Sequence, residues 1–553
     1  MPYLQYLWFS RKAILLCIPP ILYFMGGLSG QLASWEKLSL SRAWRVARTA
    51  STASLGFSLA CSGYALWQAR SLARGPRIES IVSFGHVHLS VRFDLIESLM
   101  LLLVTFLGWV IVNYSRGYMA GDPKESLYIT RFMHTLASVT LLVVTNSLIV
   151  FLIAWVLTGL ALHGLLTLYP TRQAAVIVAH KKFLASRLGD FTLLCGVLLL
   201  AAQTGSFEMN EVADHIAKLH QIPLPIHVAA LLLAISAIIK SAQFPLHGWL
   251  IQVMEAPTPV SALLHAGVVN LGGFMLIRLA PVINTTQAAQ ALLVAVGCLT
   301  ATIGSLVMTT RISIKVHLAW STCAQMGFML MECGLGLYDL AFLHLLAHSL
   351  YKANEFLGSG RTVTQGRVKL TTPPRPMPKL PALLGGGLCG LLVAILSAVL
   401  WQPDGRMDAA LIFCITIVGL ALAGILASVL SNRSIVSSVI LLISAIAVSA
   451  AYFGEESLFL KIMRIATFNH TVQRPMLIFS LGCFVLLYGI QTMVRVDPMG
   501  KLATALYQWF YAGLYLDEVF TRATFRLWPA NRLSKGSQRR DAMQPFEVRG
   551  ESL

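Results

Sequence analysis

Long apolar segments recur along this 553-residue chain and constrain its fold more than any other feature. Runs of about 18–25 apolar residues have the length that crosses the roughly 30 Å hydrocarbon core of a bilayer. Only 12% of the residues are charged, whereas a soluble domain usually has about 25%. The pattern predicts an all-α polytopic membrane protein with about 13–15 transmembrane helices. The predicted spans lie at residues 13–34, 51–69, 95–114, 130–145, 147–169, 183–203, 225–244, 258–281, 287–309, 313–335, 339–359, 381–401, 408–430, 435–453 and 475–494.

The net charge of +18 is explained by membrane topology better than by a nucleic acid partner. The lysines and arginines lie mostly between the apolar runs instead of forming one basic face. Because cytoplasmic loops are enriched in basic residues, this distribution favours an N-terminus outside and a C-terminus in the cytoplasm. Membrane lipid is therefore the expected surrounding, and no nucleic acid is expected to bind.

The spans and the polar segments between them predict five regions. These are N-terminal spans with an outside segment (1–94), a dense helical core (95–360), a basic Pro-rich cytoplasmic linker (361–380), plainer C-terminal spans (381–494), and an amphipathic helix with a basic cytoplasmic tail (495–553). The amphipathic part, about residues 500–530, suits a helix on the membrane surface or against a partner. Nine cysteines are scattered without a CxxC pair, so no disulfide, metal or cofactor is expected in this chain.

The most informative motif begins at Lys240, where residues 240–249 read KSAQFPLHGW. Lys240 ends a strongly apolar segment, and Pro245 should break the helix because proline lacks the backbone N–H that a helix needs. Pro257 and Pro259 then delay the next span. A broken membrane helix is tolerated where protein or a hydrated cavity satisfies its backbone, and a lysine there can exchange a proton near neutral pH. The alternative is a lysine that snorkels to the membrane interface.

A second group of titratable residues consists of His344, His348 and Lys352. Their spacing of four residues places all three on one face of a helix. Two imidazoles and an ammonium group in an apolar span predict a proton relay, since histidine titrates near neutral pH. Two alternatives stay open: histidines that only hydrogen-bond neighbouring helices, and a zinc site, which lacks an obvious third ligand.

Three further ionisable residues close to these motifs are candidates. Asp190 can be the counter-ion of Lys240, although a helix cap or a surface ion pair with Arg187 is an equally simple interpretation. His265 follows the broken segment and can connect Lys240 to the histidine relay. Glu255 can line the access route to the lysine, or it can be structural.

These motifs resemble the antiporter-like subunits of the complex I and cation/proton antiporter superfamily. The resemblance covers about residues 90–360 and rests on residues 240–265 together with YSRGYM at 114–119, RLGD at 187–190, AWSTCAQMGF at 319–328 and HLLAHSLYK at 344–352. It implies a core of two inverted five-helix repeats, each with a broken helix, that moves protons or sodium through charged residues at mid-membrane. By this resemblance the ion-translocating residues are Lys240 as the central lysine, Asp190 as its acidic neighbour, His265 as the bridging histidine, and His344, His348 and Lys352 as the second-half relay.

Two departures separate this chain from complex I subunits. Their fifth-span motif is Gly-Trp-Glu, whereas residues 154–158 here read AWVLT, so that Val156 stands in place of the glutamate. The later span that normally carries another lysine, residues 381–401, has no charged residue. The usual pump circuit is therefore incomplete at both ends.

Those departures, with WVLTGLALH at 155–163, HKKF at 180–183 and HLLAHSLYKANEFLGSG at 344–360, resemble the DabB-type membrane subunit of bacterial two-component inorganic carbon transporters. The resemblance implies a multi-pass protein of the bacterial inner membrane. Its partner would be a large DabA-type subunit that is similar to a zinc-dependent β-carbonic anhydrase. Cation flow, with the proton as the expected ion, would energise one-way CO2 hydration by that partner, and this chain would be no enzyme. The alternatives are a subunit of a Na+/H+ antiporter, a subunit of complex I (NADH-quinone oxidoreductase), and a non-conducting scaffold.

Overall fold

The computed structural model describes residues 15–71, 77–84, 87–169, 173–253, 256–361, 379–401, 409–431, 434–463 and 472–527, and most of them are helical. Glu255 lies outside the described residues, as do most of the linker predicted at 361–380 and the end of the predicted tail. The helices are α1 (Ile18–Ser34), α2 (Leu40–Ser71), α3 (Leu95–Tyr118), α4 (Glu125–Val144), α5 (Leu148–Leu166), α6 (Gln173–Thr204), α7 (Met209–Lys218), α8 (Leu224–Lys240), α9 (Gly248–Gln252), α10 (Thr258–Ala266), α11 (Leu271–Arg278), α12 (Ala280–Ile283), α13 (Gln287–Met308), α14 (Ile314–Gly334), α15 (Tyr338–Leu357), α16 (Leu380–Trp401), α17 (Ala409–Ser431), α18 (Ile435–Met463), α19 (Arg474–Val496), α20 (Lys501–Tyr511) and α21 (Leu516–Leu527).

Every predicted span overlaps a helix of the structure, which confirms the all-α polytopic fold. Within the described residues, ten helices are long and apolar enough to cross a membrane. The other five predicted spans coincide with α1, α2, α8, α14 and α15, which are shorter or carry more polar residues. Among these, α8 is an apolar helix of 17 residues.

The outside segment predicted before residue 95 contains a β-hairpin that was not foreseen. β1 (Arg77–Phe84) pairs with β2 (Val87–Phe93) in an antiparallel arrangement. Every second residue of β2 is apolar, as is typical of a strand with one covered face. A bridge between Val91 and Thr145 attaches the hairpin to the connection between α4 and α5.

The predicted break after Lys240 is present. α8 ends at Lys240, and the chain is irregular until the short helix α9 begins at Gly248. Pro245 cannot donate a backbone hydrogen bond, and Ala242 has a φ of 51°, in the left-handed region that ends helices. The irregular stretch leaves backbone groups that other parts of the protein must satisfy.

A second interruption, which was not predicted from the residues, lies within the next span. α10 ends at Ala266, a 3-10 turn covers Val268–Asn270, and α11 then continues. The hydroxyl of Ser241 donates to the carbonyl of Val269 at 3.1 Å, so the two interruptions lie against each other. Gly272 permits this approach, because a Cβ there would lie 2.8 Å from the carbonyl oxygen of Ala237. Since the most apolar window of this span is entirely buried, it forms the centre of the bundle.

Contacts between the connecting segments identify the two ends of the bundle. At one end Arg311 donates to the carbonyl of Phe510 at 3.1 Å. At the opposite end Arg278 forms a buried ion pair with Glu97 at 2.9 Å. Each contact joins segments that the predicted alternation of spans places on the same side of the membrane. The end that contains Arg311 and Phe510 is called the tail end below, and the other is called the hairpin end.

Candidate ion-translocation site

Lys240 is buried where α8 ends, and its ammonium group faces α5. The Nζ atom lies 3.4 Å from the carbonyl oxygen of Trp155 and 4.3 Å from the centroid of the Trp155 ring. A carbonyl lone pair and the negative face of an indole ring both stabilise a cation. This position inside the bundle argues against a lysine that snorkels to the interface.

Asp190 lies near this lysine on α6. Its Oδ2 atom forms an ion pair with Nη2 of Arg187, one turn earlier, at 2.6 Å. Asp190 is also close enough to Lys240 and Lys182 to interact electrostatically with both. The two interpretations of Asp190 therefore coexist: it pairs directly with Arg187 and also places negative charge beside Lys240.

Lys182 completes this group, although the sequence did not single it out as a site residue. It is buried, and its Nζ donates to the carbonyl of Gly159 at 2.5 Å. Gly159 lies one turn after Trp155, so α5 offers carbonyl oxygens to two lysines on either side of Val156, the position of the missing glutamate. The motif HKKF at 180–183 could have indicated that Lys182 is a site residue. Adjacent lysines at the end of a span are, however, also typical of residues that only fix the orientation of the span in the membrane.

The first cluster is defined here as Lys182, Arg187, Asp190 and Lys240. It holds three cations and one carboxylate in a largely buried region. The cations repel one another, and burial strengthens that repulsion because little water screens the charges. Gain or loss of one proton must therefore change the local field strongly, as a switchable ion-carrying site requires.

His265 lies away from the first cluster, at the end of α10. Its ring stacks on Phe356 with centroids 4.3 Å apart. The fully buried Lys352 donates to the hydroxyl of Ser321 at 2.8 Å and interacts electrostatically with His265. The structure thus places His265 with the second-half relay.

The first cluster and His265 are connected through the interrupted helices. No hydrogen bond between described residues joins Lys240 directly to His265. Ser241, next to Lys240, contacts the interruption at Val268–Asn270, and Asn270 donates to the hydroxyl of Ser349 on α15 at 2.6 Å. Movement of either break can therefore be transmitted between the helices that carry Lys240 and Lys352.

The histidine relay forms the second cluster. The rings of His344 and His348 are edge-to-face with centroids 6.1 Å apart. Nδ1 of His344 lies 2.9 Å from Oε2 of Glu332, and Nε2 lies 2.9 Å from Oε1 of Gln325. The second cluster is defined as His265, Glu332, His344, His348 and Lys352.

Glu332 is the member of this cluster that sequence reasoning missed. It is buried near the end of α14 and makes its hydrogen bond to a residue on the next span. A single carboxylate within MLMECG is a signal in itself, because ionisable groups inside a membrane are functional candidates by default.

The tail end of the bundle is covered by α21. Asp517 accepts hydrogen bonds from Gln252 and from the buried Lys181, whose Nζ lies 3.1 Å from Oδ1. The amphipathic segment was predicted to lie on the membrane or on a partner, and the structure adds a contact with the core of this chain. Its other face exposes Trp509 and Val519.

The arrangement supplies groups that hold and pass protons or small cations. Within the described part of the chain, no group of three or more His, Cys, Asp or Glu side chains is placed to hold a metal ion. The expectation that zinc belongs to a partner stays a prediction.

Comparison with known families defines the class of membrane protein. The family model described as "NADH:quinone oxidoreductase/Mrp antiporter, TM" matches residues 145–373. The model described as "NADH-Ubiquinone oxidoreductase (complex I), chain 5 N-terminus" matches residues 81–133. The matched region contains both clusters, so they lie in an antiporter-like membrane domain.

Relatives at higher identity define the family. The "Probable inorganic carbon transporter subunit DabB" of Hydrogenovibrio crunogenus is 38% identical over 78% of this chain and 82% of its own length. The corresponding DabB2 subunit of Halothiobacillus neapolitanus is 36% identical over 80% and 82%. An "NAD(P)H-quinone oxidoreductase chain 5" of Synechocystis is 35% identical but matches only 56% of this chain and 46% of its own length. The chain belongs to the family of DabB inorganic carbon transporter subunits, as the sequence motifs predicted.

Solved structures confirm the fold. A chain of the Mrp complex from a Dietzia species has a TM-score of 0.59 at 21% identity, covering 98% of this chain and 64% of that one. A chain of the archaeal membrane-bound sulfane sulfur reductase has a TM-score of 0.55 at 17% identity, covering 93% and 99%. The antiporter-like membrane fold is therefore shared well beyond the carbon transporter family.

Proposed function

We propose that this chain is the proton-conducting membrane subunit of an inorganic carbon transporter. In this proposal, proton flow energises one-way CO2 hydration by a DabA-type partner that resembles a zinc-dependent β-carbonic anhydrase. The observation that carries the proposal is the pair of buried titratable clusters, joined through interrupted helices, in a chain of the DabB family. The chain itself conducts the ion and leaves the hydration chemistry to the partner.

The residues have distinct roles in this mechanism. Lys240 binds and releases the proton, while Asp190 and Arg187 set the field around it. The proton then passes toward His265 and the second cluster, where Lys352 sets the local charge. Ordered water would have to bridge Lys240 and His265, since no direct contact between described atoms links them. Glu255 stays a candidate for the access route.

The runner-up is a subunit of a Na+/H+ antiporter or of complex I. It is favoured by the family models and by the quinone oxidoreductase relatives. The valine at position 156 and the charge-free span at 381–401 oppose it, because the resemblance implies charged residues at both places. A non-conducting scaffold would tolerate loss of Lys240, whereas each conducting alternative would not.

The proposed location is the bacterial inner membrane, with the C-terminus in the cytoplasm. This side follows from the distribution of basic residues and places α20 and α21 at the cytoplasmic face. Their exposed apolar residues, including Trp509 and Val519, form a docking surface for the partner subunit.

Carbon uptake in a bacterium that lacks carbonic anhydrase tests the proposal. The chain is expressed alone and with its chromosomal neighbour, and uptake of labelled carbon is measured with and without a proton uncoupler. Uptake is expected only with the neighbour and should disappear with the uncoupler. Absence of uptake in every combination would favour the antiporter or complex I alternatives, which salt-tolerance growth would then separate.

A further inference from the structure

Three polar residues near the hairpin end, Cys414, Tyr452 and Glu456, continue the second cluster beyond Glu332. We infer that Glu332, Cys414, Tyr452 and Glu456 form the terminal part of the proton path, in place of the lysine that the span at 381–401 lacks. This inference rests on the proposed proton conduction.

The contact between His344 and Glu332 starts this path. The 2.9 Å separation of Nδ1 and Oε2 is a hydrogen-bond distance, and the carboxylate is buried. Gln325 places its carbonyl oxygen against the other ring nitrogen. An imidazolium donates from both nitrogens and satisfies both acceptors, whereas a neutral imidazole satisfies only one.

The remaining members lie on α17 and α18. The thiol of Cys414 lies 3.5 Å from Oε1 of Glu456, and the hydroxyl of Tyr452 lies 3.7 Å from the Cys414 sulfur. Glu332 is close enough to Cys414 and Tyr452 to interact with them electrostatically. The group thus extends from α14 to α18 through the hydrogen bonds of Cys414 and the electrostatic interactions of Glu332.

The position of each member along its helix gives the path a direction. Glu332 lies in the last turn of α14, and His344 lies in the second turn of α15. Cys414 lies in the second turn of α17, and Glu456 lies in the last part of α18. Because successive spans alternate in direction, these helix ends meet at the hairpin end of the bundle. The path therefore leads from mid-membrane to the side opposite α21.

The side chains around Cys414 are apolar, so burial of a carboxylate there without a function or a partner would cost free energy. Cys414 belongs to an apolar cluster that includes Phe413, Ile415 and Met331. Buried ionisable groups in a membrane are retained where they serve ion transfer or are tightly paired. Glu332 has such a pairing with His344, and Glu456, which is also buried, contacts the thiol of Cys414.

The transfer step is chemically simple. A proton exchanges between Nδ1 of His344 and Oε2 of Glu332, which interconverts an imidazolium–carboxylate pair and a neutral imidazole with a carboxylic acid. Glu332 in turn exchanges a proton with the Glu456 side at the hairpin end, and His344 exchanges one with the His348 side, so the same contacts serve inward proton flow. No bond between heavy atoms changes and no other reactant is needed.

Proton flux into vesicles that contain this chain and its partner tests the path. Glu332→Gln and Glu456→Gln keep the size of the side chains but remove the carboxylates. Each should lower the flux by roughly tenfold, which is less than the loss of a positioned general acid or base, because water can carry a proton past one missing group. Glu332→Asp should recover most of the flux. Glu455→Gln is the matched control, because Glu455 is exposed beside the buried Glu456, and it should conduct like the unchanged protein.

Folding and function are separated in the same experiment. Each variant is first checked for an unchanged elution volume of the assembled complex and an unchanged Tm. Normal flux in well-folded Glu332→Gln and Glu456→Gln would overturn the inference while leaving the proposed function intact. If the unchanged complex carries no protons, the proposed function itself fails. A role limited to fixing His344 predicts that Glu456→Gln has no effect.

Discussion

The two clusters differ in the chemistry that they use. The first combines lysine and arginine with one carboxylate, and it places two lysines against carbonyl oxygens of α5. The second combines histidines with a lysine and a buried glutamate. A lysine cluster with excess positive charge suits a switch, whereas imidazoles that accept and donate suit a relay.

The two clusters also differ in which charged residue expected from the family resemblance is missing, and in which groups stand near the empty position. The first cluster lacks the glutamate expected at Val156, and carbonyl groups of Trp155 and Gly159 contact the lysines instead. A carbonyl carries no net charge, so within the first cluster, as far as the described residues show, Asp190 is the single carboxylate beside three cations. The second cluster lacks the lysine expected in the span at 381–401, and it contains a carboxylate on α14, Glu332. The two halves are therefore expected to respond differently to loss of a single charge.

Removing the central lysine should have the largest effect. In Lys240→Met the switch of the first cluster is lost, and carbon uptake with the partner should fall at least about a hundredfold. Lys461→Met is the control because Lys461 is exposed on α18, and its uptake should stay normal. Equal uptake by both variants would support the scaffold alternative.

Loss of a relay histidine should be severe but less complete. His348→Asn removes a group that lies between His344 and Lys352, so proton flux in vesicles should fall about tenfold. His220→Asn changes an exposed histidine and should have no effect. The relay would be wrong if His344→Ala and His348→Ala both transported normally.

Charge balance in the first cluster can be tested by a double-mutant cycle. Asp190→Asn leaves Arg187 without its carboxylate and should lower the free energy of unfolding by about 1–3 kcal/mol. The value lies below that of a fully buried pair because Arg187 is partly exposed. Addition of Arg187→Gln should restore part of the stability, as measured by thermal unfolding in detergent. Strictly additive losses would show that the two charges do not interact.

Detachment of α21 should have the smallest effect. Asp517→Asn weakens the contact with Lys181 and should cost about 1 kcal/mol, because Asp517 is partly exposed. Limited proteolysis of the tail should become faster. Glu518→Gln alters an exposed neighbour and is the control. Unchanged proteolysis in Asp517→Asn would mean that α21 is held by its apolar face alone.

Much of the fold could be predicted because hydropathy and proline act locally. Each apolar run that was predicted to be a span overlaps a helix, ten of which are long and apolar enough to cross a membrane among the described residues, and Pro245 indicated the break after Lys240. The hairpin at Arg77–Phe93 was missed because a short alternating segment gives a weak signal beside long apolar runs.

The pairings within the site were harder to predict because they depend on packing between spans. Asp190 and Arg187 are three residues apart, and their pairing could be named as an alternative. Glu332 contacts His344 across two helices, and Asp517 contacts Lys181 across most of the chain. Neither sequence separation matches the period of a helix or a strand, so these two contacts could be identified only from the folded structure.

The most direct test of the account is to measure CO2 hydration and proton flow together. Vesicles that contain this chain and its partner are given a pH gradient of variable size, and the rate of bicarbonate formation inside is followed. If proton flow energises hydration, the rate rises with the gradient in the unchanged complex and is insensitive to it in Lys240→Met. A rate that is independent of the gradient in the unchanged complex, or unchanged by Lys240→Met, would contradict the account.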